Sequence, residues 1–261
     1  MALIKTPEEI ALMRQGGALL SKALVAAVAA VKPGITMAEL DAIAEEVIVT
    51  GGGKPSFKGY KTGGAKPFPS TLCISRNDEV VHGLGNRSIV LEAGDIVGLD
   101  IGCWYEGLCT DMAVTVPVGK VDPELIQMLQ VTRESMRAGV AAARAGGTVL
   151  DIGRAVEEVV KPYGYGIVRD LVGHGVGHAV HESPNVPNYV APGFSKATLP
   201  VGACLAIEPM LTMGGEDLEI LEDGWTLVTA DGSEAGHFEV TIALTEAGVE
   251  VLTPEPEVPG I

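Results

Sequence analysis

The sequence predicts an α+β fold built as two related halves, each with two helices packed outside antiparallel strands. Three observations predict it. The same helix-start signature occurs at matched places in both halves. Apolar β-type runs recur after each helix pair. Each set of runs brings carboxylates to corresponding positions, the mark of an internal repeat.

Thr6-Pro7-Glu8-Glu9 reads as a helix start, with Thr as N-cap, Pro in the first turn and Glu closing a capping box. Ile10, Met13, Gly17, Leu20 and Leu24 follow at helical spacing, and Pro33-Gly34 ends the helix. Thr36-Met37-Ala38-Glu39 opens a second helix. In the other half Asp122-Pro123 starts a helix that runs to Ala145-Gly146-Gly147, and Thr148-Val149-Leu150-Asp151 starts the next. Glu45-Glu46-Val47 answers Glu157-Glu158-Val159 without gaps. Among the strands, Ile96 to Asp100 is matched by Cys204 to Glu208, and Asp111 to Val116 by Glu239 to Leu244. These matches make residues 1–261 a single domain of two pseudo-repeats, about 1–119 and 120–261, with both sheets facing inward. Residues 51 to 72, rich in Gly, Lys and Pro, read as a long loop, of the kind that is either functional or disordered. The Pro- and Glu-rich tail 253–261 is expected to be loosely held.

Composition narrows the function. Hydrophobic residues at 47% and charged residues at 20% fit a globular chain rather than a disordered one. A net charge of -16 argues against broad binding to DNA or to an anionic membrane. The N-terminal run has no signal-peptide character. The apolar stretch from Ala23 to Val31, flanked by Lys22 and Lys32, is far short of the roughly 20 residues that a membrane span needs. Cys73, Cys103, Cys109 and Cys204 form no metal-ribbon pairs, so they read as buried thiols in a reducing cytoplasm.

The matched acids carry the chemistry. A carboxylate in an apolar strand is costly to bury without compensation. Asp100, Asp111, Glu208 and Glu239 converging would repel one another, and two divalent cations are the natural counter-charge. The segment Gly173 to Glu182 supplies histidines, His174 and His181 being the stronger candidates and His178 the weaker. It lacks the H-E-x-x-H spacing of a zinc-protease helix. His237 is left as structural. Oxygen-rich ligation with one imidazole favours Mn, Fe(II) or Co. The expected reaction is hydrolysis of an amide or ester.

The ordered motifs VVHG, GLDIG, CTDMAVT, GHGVGHAVHESP, AIEPM and FEVT closely resemble the bacterial type I methionine aminopeptidases, and more loosely the whole pita-bread metallopeptidase family. The resemblance covers essentially the full chain. It implies the pita-bread fold and hydrolytic removal of the initiator methionine from nascent polypeptides and peptides, with a preference for a small second residue. In that mechanism a water activated by a dinuclear metal centre attacks the methionine carbonyl. The resemblance makes Asp111 and Glu239 bridging ligands, gives Asp100 to one metal, and gives His174 and Glu208 to the other. The ions implied are Co, Mn, Fe(II) or Zn. Glu208 would also shuttle a proton, while His181 would contact substrate and steady the tetrahedral intermediate. His82 would lie near the scissile nitrogen. The methionine pocket would be walled by Phe57, Tyr60, Phe68, Cys73, Val180 and Trp225. The chain departs from the family by extra residues at 61–66, by Val180 in place of an aromatic, and by His178. A cytoplasmic monomer is expected; Lys54, Lys58, Lys61 and Lys66 read either as a solvated loop or as a transient docking patch for the ribosome.

Three rivals fare worse. Prolidase and aminopeptidase P carry an extra N-terminal domain, for which a first helix starting at Thr6 leaves no room. Type II methionine aminopeptidases carry a helical insertion that is not apparent between His181 and Glu208. Non-catalytic relatives that bind RNA or protein have lost ligands that are all present here.

Overall fold

The computed structural model describes residues 4–61, 66–190, 193–194 and 196–261. Four long helices form where the sequence places caps. Helix α1 spans Pro7–Ala30 and α2 spans Met37–Thr50. Helix α3 spans Pro123–Ala142 and α4 spans Val149–Val160. Thr6, Thr36 and Thr148 each close a reciprocal capping box, and the Asp122 side chain accepts from Glu124 N. Each box satisfies two backbone N–H groups that a helix start leaves open. Helix α3 stops at Ala142, short of Ala145, because Ala143 turns to an extended conformation and buries its methyl.

Nine of the described strands form one antiparallel sheet that crosses from the first half to the second, and the others form two three-stranded sheets. Ile96–Tyr105 and Leu108–Pro117 make a hairpin around Glu106 and Gly107, both at positive φ as a two-residue turn of this hand requires. Leu108–Pro117 then pairs with Glu239–Thr245, which pairs with Cys204–Ile207. The two inner sheets expected from the repeat therefore join edge to edge. Gly173–Gly175 and Glu182–Val186 complete the far side. Helices α1 and α2 pack together over the first half, and α3 and α4 over the second. The main core between helices and sheet is aliphatic, with Leu20, Leu24, Leu99, Ile101, Leu205 and Ile242 fully buried.

Two segments differ from expectation. The stretch 51–72 is not wholly irregular: Lys54–Pro55 pairs with Cys103 and Trp104. The loop beyond it closes on itself through Gly59 N to Phe68 O and Phe68 N to Tyr60 O, both 2.8 Å. Of the extra residues 61–66, positions 62–65 lie outside the described residues.

The tail, expected to be loose, is tied down. Thr253 is fully buried, and its hydroxyl accepts from Thr241 N at 2.8 Å. Ser21 on α1 donates to Pro254 O, while Arg133 and Arg137 on α3 both grip Glu255. Its Pro and Glu content suggested solvation, but Val258 is buried and Glu255 has two guanidinium partners. Gly17 lets α1 approach this tail; a methyl there would sit 2.1 Å from Leu252 O.

Candidate metal centre

Strand register sets the acids on one face. Asp100 lies opposite Ala113, and Ala113 lies opposite Glu239. Asp111 is two residues from Ala113, so it points to the same side. Its backbone is fixed to the central strand by Asp111 N to Thr241 Oγ1 at 2.9 Å and Thr241 Oγ1 to Asp111 O at 2.8 Å. His174 comes from Gly173–Gly175, with its Nδ1 2.9 Å from Gly175 O. That contact leaves Nε2 to face the cavity, 3.3 Å from Glu208 Oε1. Ligand atoms of Asp111, His174 and Glu239 fall within 4.8 Å of one another.

These groups line a cavity of about 360 Å³ together with Asp100, Glu208, His82, His181 and His237. Among its described lining side chains there is no Lys or Arg. Burial pushes the carboxyl of Asp100 up to about 7. Burial, and then the charges of neighbouring acids, push Asp111, Glu208 and Glu239 well above the carboxylate range. Burial pushes His174 down to about 3, with the nearby His181 adding to it. Asp100 Oδ1, Glu208 Oε1 and Glu239 Oε1 are buried without a hydrogen-bond partner. Acceptors left bare, converging acids and a neutral imidazole fit a divalent cation, which would supply the missing positive charge.

The apolar side of the cavity is formed by Phe57, Tyr60, Phe68, Cys73 and Trp225. Phe68 and Trp225 meet edge to face at 5.2 Å, and Trp225 Nε1 donates to Lys66 O at 3.0 Å. Tyr60 OH lies 3.1 Å from His181 Nδ1. The loop closure thus brings Tyr60 and Phe68 to the cavity despite the longer loop between them. Val180 joins the same apolar cluster but does not line the cavity. His82 sits at φ +60, a costly conformation for a residue with a Cβ, and this carries its ring to the cavity wall. Burial pushes it down to about 4.

The sequence reading left one histidine out of the site. His237, taken as structural, is buried at the cavity wall, with Nε2 3.9 Å from Glu208 Oε2 and no hydrogen-bond partner. Its signal was its place two residues before Glu239, the spacing that shares a face in a strand. Val81, Asp170, Leu171, Val172 and Met210 also line the cavity and had no motif to mark them. His178 is turned away, its Nε2 2.7 Å from Glu9 Oε1.

The model of metallopeptidase family M24 matches residues 11–246. The chain belongs to that family. The methionine aminopeptidase of Clostridium acetobutylicum is 43% identical over 253 residues, 97% of this chain and 99% of that one. Methionine aminopeptidase 1 of Bacillus subtilis is 41% identical, over 97% and 99% of the two chains. The crystal structure of methionine aminopeptidase from Thermotoga maritima superposes with a TM-score of 0.92 at 40% identity, covering 98% of this chain and 100% of that one. Prolidase from Pyrococcus furiosus matches with a TM-score of 0.77 at 25% identity, but this chain spans only 66% of it. The fold is the pita-bread fold of M24, and the chain is a hydrolase of a metal-dependent family.

The acids give a pH signature. Between about pH 4 and pH 7 the unfolded chain has released its carboxyl protons, while in the metal-free fold Asp100 holds its own up to about 7 and Asp111, Glu208 and Glu239 are pushed in the same direction. The native state then binds more protons, so stability falls as pH rises. Chelated protein should therefore melt at a lower temperature at pH 8 than at pH 5. Added Mn or Co should remove this slope by taking the protons' place. A metal-free melting temperature that does not change across this range would contradict the account.

Proposed function

We propose that this M24 hydrolase is a cytoplasmic type I methionine aminopeptidase that removes the initiator methionine from nascent chains, with a preference for a small second residue. The observation that carries the reading is the cavity itself, which sets uncompensated acids beside a closed apolar wall of aromatics and a thiol. Such a wall suits an unbranched thioether side chain. The relatives named methionine aminopeptidase, alike over nearly the whole chain, support it.

Asp111 and Glu239 would each face both of two divalent ions, Asp100 one, and His174 and Glu208 the other. Ions of Co, Mn, Fe(II) or Zn suit this donor set. When bound, such ions supply the positive charge that polarises a carbonyl and brings the pKa of a water toward neutrality. The protein's own groups do the rest. Phe68, Trp225 and Tyr60 hold the methionine side chain and exclude water. His181, fixed by the Tyr60 hydroxyl, is placed to donate to the carbonyl oxygen of the substrate. His82, neutral by burial, is placed to hydrogen-bond the scissile nitrogen. Glu208 carries a proton between the attacking water and the leaving amine, a role that suits a carboxylate beside the nucleophile.

We assign the whole chain to one domain of two pseudo-repeats, 1–119 and 120–261, acting as a monomer. Four buried free cysteines suit a reducing cytoplasm. No described helix is long and apolar enough to cross a membrane.

Cleavage of Met-Ala, Met-Lys and Leu-Ala peptides by metal-loaded protein tests the assignment. Met-Ala should be cut fastest and Leu-Ala least. Asp111→Asn should abolish turnover while the fold survives, and normal turnover with two bound metal equivalents would refute the bridging role. Trp225→Ala should raise KM for methionyl peptides by an amount equivalent to about 1–3 kcal/mol, the usual cost of one lost pocket contact. Wild-type kinetics would return Trp225 to the core. Lys54, Lys58, Lys61 and Lys66 form a basic loop in an acidic chain, although Lys58 is already paired with Glu45. If they meet ribosomal RNA, the quadruple Lys→Gln variant should co-sediment with ribosomes less than wild type, and wild-type binding should fall steeply with salt. Equal pelleting of both proteins would reject docking.

A further inference from the structure

The turn that bears His181 rests on a charge held from the far end of the chain. Lys5 is buried and its Nζ meets the Glu182 carboxylate, a partner 177 positions away. The other oxygen of Glu182 accepts from two backbone groups, His178 N and Ala179 N, the second at 2.9 Å. Residues 177–181 therefore wrap around one carboxylate with an ammonium beneath it. Gly177, at φ +140, lies directly on the Lys5 stem; a Cβ there would stand 2.3 Å from Lys5 Cε. Lys5 is itself fixed to the second half by Lys5 N to Gly202 O at 2.8 Å. A second tie comes from the first turn of α1, where Glu9 meets His178 Nε2.

We propose that Lys5 is a positioning residue of the active site, its ammonium acting through Glu182 to hold the turn that carries His181 against Tyr60. The proposal rests on the reading of His181 as a substrate contact. A buried carboxylate that loses the lysine ammonium against it must take a proton or swing toward water. Either change loosens its hold on the amides of His178 and Ala179. His181 follows three and two residues later, so its ring loses its fixed distance to the Tyr60 hydroxyl. Phe57, Phe68 and Trp225 belong to other segments and keep their places. The loss therefore falls on turnover more than on methionine binding.

Two measurements on Lys5→Met test this. In metal-free protein, hydrogen exchange followed by NMR should show the amides of His178 and Ala179 losing protection while those of Glu239–Thr245 keep it. In metal-loaded protein, kcat on a methionyl peptide should fall on the order of tenfold to a hundredfold, the scale of a small misplacement of a reacting group, with a smaller change in KM. If the buried charge keeps Lys5→Met from folding, the double variant Lys5→Met/Glu182→Gln takes its place. It is neutral at both positions and keeps a side-chain carbonyl for the two amides, so it should show the same losses in weaker form. A folded variant with unchanged protection overturns the proposal, as does lost protection with unchanged kcat. Failure of wild-type protein to cut methionyl peptides would refute the functional reading instead, and the exchange data would still decide whether Lys5 holds the turn.

Discussion

The concentration of acidic side chains inside the sheet is the constraint on which the rest of the structure depends. Asp100, Asp111, Glu208 and Glu239 all lie at a cavity whose described lining holds no Lys or Arg. Mutual repulsion and lost hydration would drive such groups apart in a pliant protein. Here they are set by the backbone of adjacent strands, and Thr241 pins Asp111 from both its N–H and its carbonyl. The rigidity of the sheet is what makes the electrostatic cost persist until a cation answers it.

That rigidity comes from joining the halves. The pairing of Leu108–Pro117 with Glu239–Thr245 turns two modest sheets into one. The tail reinforces the joint from outside, since Glu255 is held from α3 while Pro254 is held from α1. His82, His181 and the aromatic groups then enter from loops, where the conformational cost of His82 at φ +60 is met by the surrounding packing.

Much of this was legible in the sequence, and the reason is locality. Thr6, Thr36 and Thr148 announce helix starts because a capping box is complete within four residues. The four acids could be read because the repeat places each beside an apolar run of the same length. His237 could not be read so easily. It belongs to the short strand Ala235–His237, paired with Met210–Thr212, and the chain passes into the large sheet only after Phe238. Its shared face with Glu239 spans two sheets. The tail misled because composition speaks of average solvation, while Thr253 and Val258 are buried by particular neighbours. The tie between Lys5 and Glu182 has no local signature at all; only the folded chain brings them together.

The central place of Glu239–Thr245 bears on the order of events during synthesis. The strand that brings in the fourth acid is made after Leu108–Pro117 and Cys204–Ile207, the two strands it lies between. Domains fold as units once their segments are available. A growing copy therefore has no finished cavity until this strand has been made.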